Sequence, residues 1–290
     1  MNKEINAFLN IIKPKDMSSA FAVGIVKKRL KTNCGHMGTL DPMASGVLPL
    51  GLNKASRLFR YLLDKDKIYQ AEFSFGEETD TLDRTGKVVK TTSVIPSESL
   101  IKESLLSFVG EIDQVPPNYS AKCIDGKRGY ELARSGKEFV LEPKKVIVNG
   151  IGYLGKTGEN TYKIQVSCKG GTYIRSLIRD IGYKCGSLAN MTELDRLSAG
   201  VFSYGNGVDV EKVRDITGDI EKYLIYPDKV LDYEKLILTE YQATRVINGL
   251  YDDYPLQNGL YRVYKEEYFW GVGEIINGKL YMQAYVRQDL

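Results

Sequence analysis

Gly35-His36-Met37-Gly38-Thr39-Leu40-Asp41-Pro42-Met43-Ala44-Ser45-Gly46-Val47-Leu48-Pro49-Leu50-Gly51 holds the only histidine of the chain, four glycines and two prolines. It has no amphipathic period, so local propensity reads it as a loop. Met37, Leu40, Met43, Val47 and Leu48 nevertheless belong in a core. A segment that is both glycine-rich and apolar suits the rigid wall of a pocket better than a solvated connection. Asp41 precedes Pro42, which biases the aspartate to an extended backbone and holds its carboxylate in one place. Taken alone, Asp-Pro reads first as the start of an Asx-type turn, and His36 as a structural hydrogen-bonding group. The segment fails as a phosphate loop, because it contains no G-x-x-x-x-G-K-[ST].

With His36 alone, any Ser-His-Asp or Cys-His mechanism would have to use it; other acid–base work falls to Asp, Glu, Lys or Tyr. Cys34, Cys123, Cys168 and Cys185 form no C-x-x-C pair, so structural zinc is not expected and reduced thiols in a cytoplasmic protein are. The N-terminal stretch lacks the apolar region and cleavage site of a secretory signal, and no run nears eighteen apolar residues, so no membrane span is expected. The net charge of +3 gives no reason by itself to invoke nucleic acid. Residues 1–70, however, carry twelve Lys/Arg against five Asp/Glu. That local excess is either a solvated face or one that meets phosphates.

Working outward, residues 8–13 read as a strand, and Ser18 as the cap of a helix to about Lys31. Residues 56–63 read as a helix, and 68–75 as a strand with Tyr69, Ala71, Phe73 and Phe75 in one phase. Ser97 caps a helix through Val109, residues 111–127 read as loop, and a short helix is expected around Tyr130 to Arg134. Residues 146–153 and 161–168 suggest a hairpin, 173–185 a helix opened by Gly170-Gly171, and 209–216 a short helix. Past residues 226–236 the chain changes character. Thr239 caps a helix to Asn248, and short aromatic strands follow over 259–264, 268–276 and 279–286, the last two joined by Asn277-Gly278. This reads as a separate small β-rich unit.

Three more segments bear chemistry. Lys169-Gly170-Gly171-Thr172-Tyr173-Ile174-Arg175 turns from strand to helix, and Arg175 lies in the first turn, where the helix dipole disfavours a cation. Unless it is a plain surface arginine, an anionic partner is implied, either a carboxylate or a phosphate. Lys67-Ile68-Tyr69 brings a tyrosine into a strand, as packing or as a face for a base. Glu77, Glu78, Asp80 and Asp83 lack EF-hand spacing and read as turn-forming groups rather than metal ligands.

In this order the segments resemble the TruB-type tRNA pseudouridine synthases, from about Leu9 to about Ser198. The resemblance rests on G-H-M-G-T-L-D-P-M-A-S-G-V-L-P at 35–49, K-x-Y at 67–69 and T-D-T-x-D-x-x-G at 79–86. P-x-Y-S-A at 117–121, K-G-G-T-Y-I-R at 169–175 and R-L-S at 196–198 complete it. It implies an α+β fold: a catalytic domain over 1–232 on a mixed, mainly antiparallel sheet flanked by helices, and a small PUA-like β domain over 233–290. The implied activity is isomerisation of uridine 55 in the T loop of tRNA to pseudouridine, with no cofactor or metal, by a cytoplasmic chain taken as a monomer. Asp41 matches the catalytic aspartate, acting as nucleophile or base. Tyr69 matches the tyrosine that stacks on the target base, and Arg175 the arginine that pairs with the aspartate. His36, Tyr173 and Leu197 match further substrate-side positions, Leu197 lining the uracil pocket. Lys13, Lys15, Lys27, Lys28, Arg29 and Lys31 would then meet RNA phosphates. Two departures stand out: Asp16 where glycine is common, and Lys122 one place short of the family's lysine.

Overall fold

The computed structural model describes residues 5–119, 123–124, 127–128, 141–215, 220–250 and 252–287. Its centre is the strand Lys67–Phe75, whose residues alternate between buried and half-buried, with Lys67, Tyr69, Ala71, Phe73 and Phe75 inward. Thr161–Cys168 pairs along one edge of it and Ala189–Ala199 along the other, both antiparallel. The main path of the sheet runs Val208–Asp209, Phe8–Lys13, Ser45–Leu52, Ala189–Ala199, Lys67–Phe75, Thr161–Cys168, Lys144–Lys156, Gly110–Gln114. Only the pairs Phe8–Lys13 with Val208–Asp209, and Ala189–Ala199 with Ser45–Leu52, are parallel along it. The sheet is thus mixed and mainly antiparallel, as expected.

The opening segment departs from its loop reading. Cys34–His36 and Ser45–Leu52 are antiparallel strands, and only the residues between them turn. All of Ser45–Leu52 except Ser45 is buried. A strand covered on both faces shows a continuous apolar run and no alternation, so its periodicity is silent. Its glycines answer to close approaches: a Cβ at Gly46, φ +109°, would lie 2.3 Å from the Arg196 carbonyl oxygen. Gly110–Gln114, expected as loop, is an edge strand, and Asn53–Tyr61 is a 3-10 helix. The helix capped by Ser97 stops at Leu106, short of Val109. The helix expected around Tyr130 to Arg134, together with Ser120, Ala121 and Lys122, lies outside the described residues.

Helix Ser19–Leu30 is capped as expected, with the Phe21 amide donating to Ser18 Oγ at 3.1 Å. Helix Ile174–Lys184 buries Ile174, Leu177, Ile178 and Ile181, a helical stripe, against the sheet. Strands Glu234–Leu238, Gly259–Lys265, Tyr268–Ile276 and Lys279–Tyr285 form a second sheet in that order. Asn277 and Gly278 take the positive φ values, 50° and 77°, that a two-residue hairpin turn demands.

This small sheet shares a core with the large one. Ala284 and Val286 are buried with Phe8, Met37, Val47 and Leu58. Polar contacts reinforce the seam. Arg57 and Arg60, stacked three apart on the 3-10 helix, donate to the carbonyls of Tyr285 at 3.0 Å and Gln283 at 2.5 Å. Asn6 Nδ2 donates to the carbonyls of Val286 and Arg287 at 3.2 and 3.4 Å.

Candidate active site

Asp41 sits on a tight turn with Pro42 behind it, and the Ala44 amide donates to the Asp41 carbonyl at 3.0 Å. The backbone closes this turn, so the carboxylate is left for other partners. The turn is fastened from below. The side chains of Met37, Leu40, Met43 and Ala44 are in the core. Ser19 Oγ donates to the Leu40 carbonyl at 2.8 Å and accepts from its amide at 3.0 Å. Lys13 Nζ donates to the carbonyls of Pro14, Met17, Pro42 and Ala44.

Lys13 is therefore not a phosphate contact. Its side chain is fully buried, and its donors are spent on carbonyls that flank Asp41. The sequence signal was misleading because a lysine ending a strand in a basic region reads as surface. Of the other basic residues, Lys15, Lys27, Lys28, Arg29 and Lys31 are exposed. Lys15 pairs with Glu193 at 2.5 Å. Lys27, Lys28 and Arg29 fill the last turn of their helix, where the dipole favours cations whatever else they meet.

Arg175 reaches Asp41 from the first turn of Ile174–Lys184. Its Nε lies 2.9 Å from Oδ2, and Nη2 donates to Oδ1 at 3.1 Å. This two-point fork orients the carboxylate as a lysine could not. Nη1 donates to the Thr81 carbonyl at 2.8 Å, and Nη2 also to that of Tyr119 at 3.0 Å. The anionic partner read from the helix position is thus a carboxylate of the chain. The arginine side chain is 7% exposed and the aspartate 32%, so the pair is anchored on one side and open on the other. The approach depends on Gly170, where a Cβ would lie 2.1 Å from the Leu63 carbonyl oxygen. Gln114 seats the helix start, accepting from the Tyr173 amide at 2.8 Å and donating to its carbonyl at 3.1 Å. The Tyr173 side chain is half-buried.

Asp83 backs the same arginine, with Oδ2 3.8 Å from Nε. Its Oδ1 accepts from Thr81 Oγ1 and from the Thr85 amide and hydroxyl, and Asp80 Oδ1 accepts from the Lys87 amide. These are turn-forming bonds, as the spacing suggested. Asp16 has φ 60°, so its position does call for glycine-like freedom. Arg84 Nη2 donates to Asp16 Oδ1 at 3.3 Å, a partner glycine would lack.

Tyr69 is buried on the central strand, in the same apolar cluster as Leu40, Met43 and Ala44. Burial pushes its hydroxyl up, and the neighbouring Arg196 draws it back down. Arg196 stands opposite Tyr69 in the ladder; the register then jumps to Ser198, leaving Leu197 half-buried on a bulge. Such bulges re-aim side chains beside active sites. His36 ends its short strand opposite Leu50 and is half-buried. Gln114 and the structural part of Lys13 were missed in sequence, as was Arg196, whose only signal was its place in R-L-S.

Residues 27–174 match the profile of the N-terminal domain of TruB family pseudouridylate synthases. The chain is 39% identical over 281 residues to "tRNA pseudouridine synthase B" of Clostridium tetani, covering 93% of this chain and 96% of that protein. A protein of the same name from Clostridium kluyveri is also 39% identical, covering 93% and 95%. Among solved structures, one chain of a Cbf5-Nop10-Gar1 complex superposes with a TM-score of 0.73 at 24% identity, covering 98% of this chain and 86% of that one. The last likeness speaks for the fold, whereas the profile and the near-full-length relatives speak for descent. On these grounds, and with an Asp–Arg fork beside a buried tyrosine at its centre, the chain belongs to the TruB family of pseudouridylate synthases.

Proposed function

We propose that this chain isomerises the uridine at position 55 in the T arm of tRNA to pseudouridine, with Asp41 as the group that acts on the nucleotide. Isomerisation of a tRNA uridine is the activity for which its relatives are named; the position, the arm and the residue roles are our reading. In the reaction the N1–C1′ bond breaks, a C5–C1′ bond forms, C5 gives up its proton and N1 gains one. A base cannot be detached and turned while stacked in RNA, so it must enter a pocket. The observation that carries the reading is the Arg175 fork: it fixes both Asp41 oxygens from the protein side and leaves the carboxylate a third exposed. Such a carboxylate is held ready as nucleophile or base. Tyr69 offers an aromatic face for a pyrimidine, and Leu197 an apolar wall. All these groups lie on one chain, which supports action as a monomer; the cytoplasmic setting follows from tRNA as the substrate.

The test is tritium release from C5-labelled uridine in a tRNA transcript. Asp41→Asn should reduce release to background while tRNA binding persists, because the amide NH2 would face the Arg175 donors. Unchanged release overturns the role of Asp41. Mapping the product by primer-extension stops after carbodiimide derivatisation should place pseudouridine at position 55, and modification elsewhere with none at 55 overturns the position.

A further inference from the structure

Arg196 is 1% exposed, and among the described residues no carboxylate stands within ion-pair distance of it. A buried cation without a counter-ion is costly, and an apolar side chain of similar volume would be the cheaper filling. The guanidinium is spent on two carbonyls, both of the proposed site. Nε donates to the Val47 carbonyl at 2.7 Å and Nη2 to the Gly38 carbonyl at 3.1 Å, carbonyls that bracket the Asp41 turn. The guanidinium also belongs to the residue opposite Tyr69 in the ladder, near enough for its charge to act on the Tyr69 hydroxyl. The fit is close: a Cβ at Gly38, φ +82°, would stand 3.4 Å from Nη1.

We propose that Arg196 is a positioning residue of the reaction, which joins Tyr69 and both flanks of the Asp41 turn into one rigid unit and sets its charge against the Tyr69 hydroxyl. The inference rests on the pseudouridine synthase reading of the site. Negative charge developing on the Tyr69 oxygen then has a cation on the neighbouring strand, directly across the ladder. Two consequences separate this from plain bracing. Part of the effect must vanish when Tyr69 has no hydroxyl, and part must be restored by another cation.

The experiment is a double-mutant cycle on turnover of tRNA transcript, with Arg196→Gln, Arg196→Lys and Tyr69→Phe. Arg196→Gln should lower kcat on the order of 100-fold with KM within about threefold, and Arg196→Lys should recover at least about tenfold of that. In the Tyr69→Phe background, Arg196→Gln should cost less than about tenfold, a non-additivity expected of groups that act together. Equal losses in both backgrounds, no recovery by lysine, or Tyr69→Phe with normal turnover would each overturn the proposal. If Arg196→Gln does not fold, the Arg196→Lys and Tyr69→Phe cycle carries the same test with a smaller expected coupling, and additivity there refutes it. A wild-type chain that forms no pseudouridine would instead strike at the underlying reading.

Discussion

Replacing Arg175 by methionine keeps most of the side-chain volume and removes every polar contact that the arginine makes at the centre of the site. Asp41 loses both fork bonds, the carbonyls of Thr81 and Tyr119 lose a donor, and Asp83 loses the cation 3.8 Å from its Oδ2. Breaking a buried ion pair from one side costs about 3–5 kcal/mol. Water can reach Asp41, which is 32% exposed, and this moves the expectation to the lower part of that range. Each abandoned carbonyl adds about 1 kcal/mol. A total near 5 kcal/mol corresponds to a melting temperature roughly 10 °C lower for a chain of this size. Most of the stranded charge is on Asp83, which is buried. Asp83→Asn should therefore destabilise the wild-type chain yet raise the melting point of Arg175→Met, because it neutralises a carboxylate that has lost its cation. Thermal melting followed by circular dichroism on the four chains reads both effects. An Arg175→Met chain melting within about 2 °C of wild type, or an Asp83→Asn change that lowers both backgrounds equally, refutes this electrostatic account.

Tyr69→Leu should impair turnover more than tRNA affinity, by roughly 10–100-fold, the scale of a lost base-stacking contact; a large affinity loss with normal turnover counts against it. Gly46→Ala sets a Cβ against the Arg196 backbone and forces a strained φ, so melting should fall by at least about 5 °C; an unchanged melting point would mean the strands separate easily. Burial lowers the Lys13 ammonium from 10.5 to about 8. Between those two values the unfolded chain binds more protons than the folded one, so the stability contribution of Lys13 rises with pH across that window. The melting-point difference between wild type and Lys13→Met should accordingly grow from pH 8 to pH 10, and a flat or shrinking difference would show that the four carbonyls hold the proton.

Local chemistry marked the peripheral elements well. Ser18, Ser97 and Thr239 cap helices where expected, and Asn277-Gly278 turns the final hairpin. The interior was harder to read. Ser45–Leu52 carries two glycines and a proline and is buried on both faces, so neither propensity nor period marks it. Ala189–Ala199 was missed for a related reason: its bulges after Met191 and Arg196 break the alternation that identifies a strand. At the site, Asp41, Tyr69 and Arg175 were picked out through the resemblance to the TruB-type synthases, but their support was not legible. Lys13, Gln114 and Arg196 act largely on backbone carbonyls and amides, and no pattern of residue types reveals which backbone group a long side chain will find.

The seam between the two sheets bears on how this chain can change over generations. Arg57, Arg60 and Asn6 hold the last strand by the carbonyl oxygens of residues 283, 285, 286 and 287, which every amino acid possesses. Such a grip constrains where the strand runs and places little demand on what it is made of. Val286, buried in the shared core, is constrained by its side chain as well. The demand for particular residues falls on three side chains early in the chain, 223 to 281 positions before the carbonyls they hold.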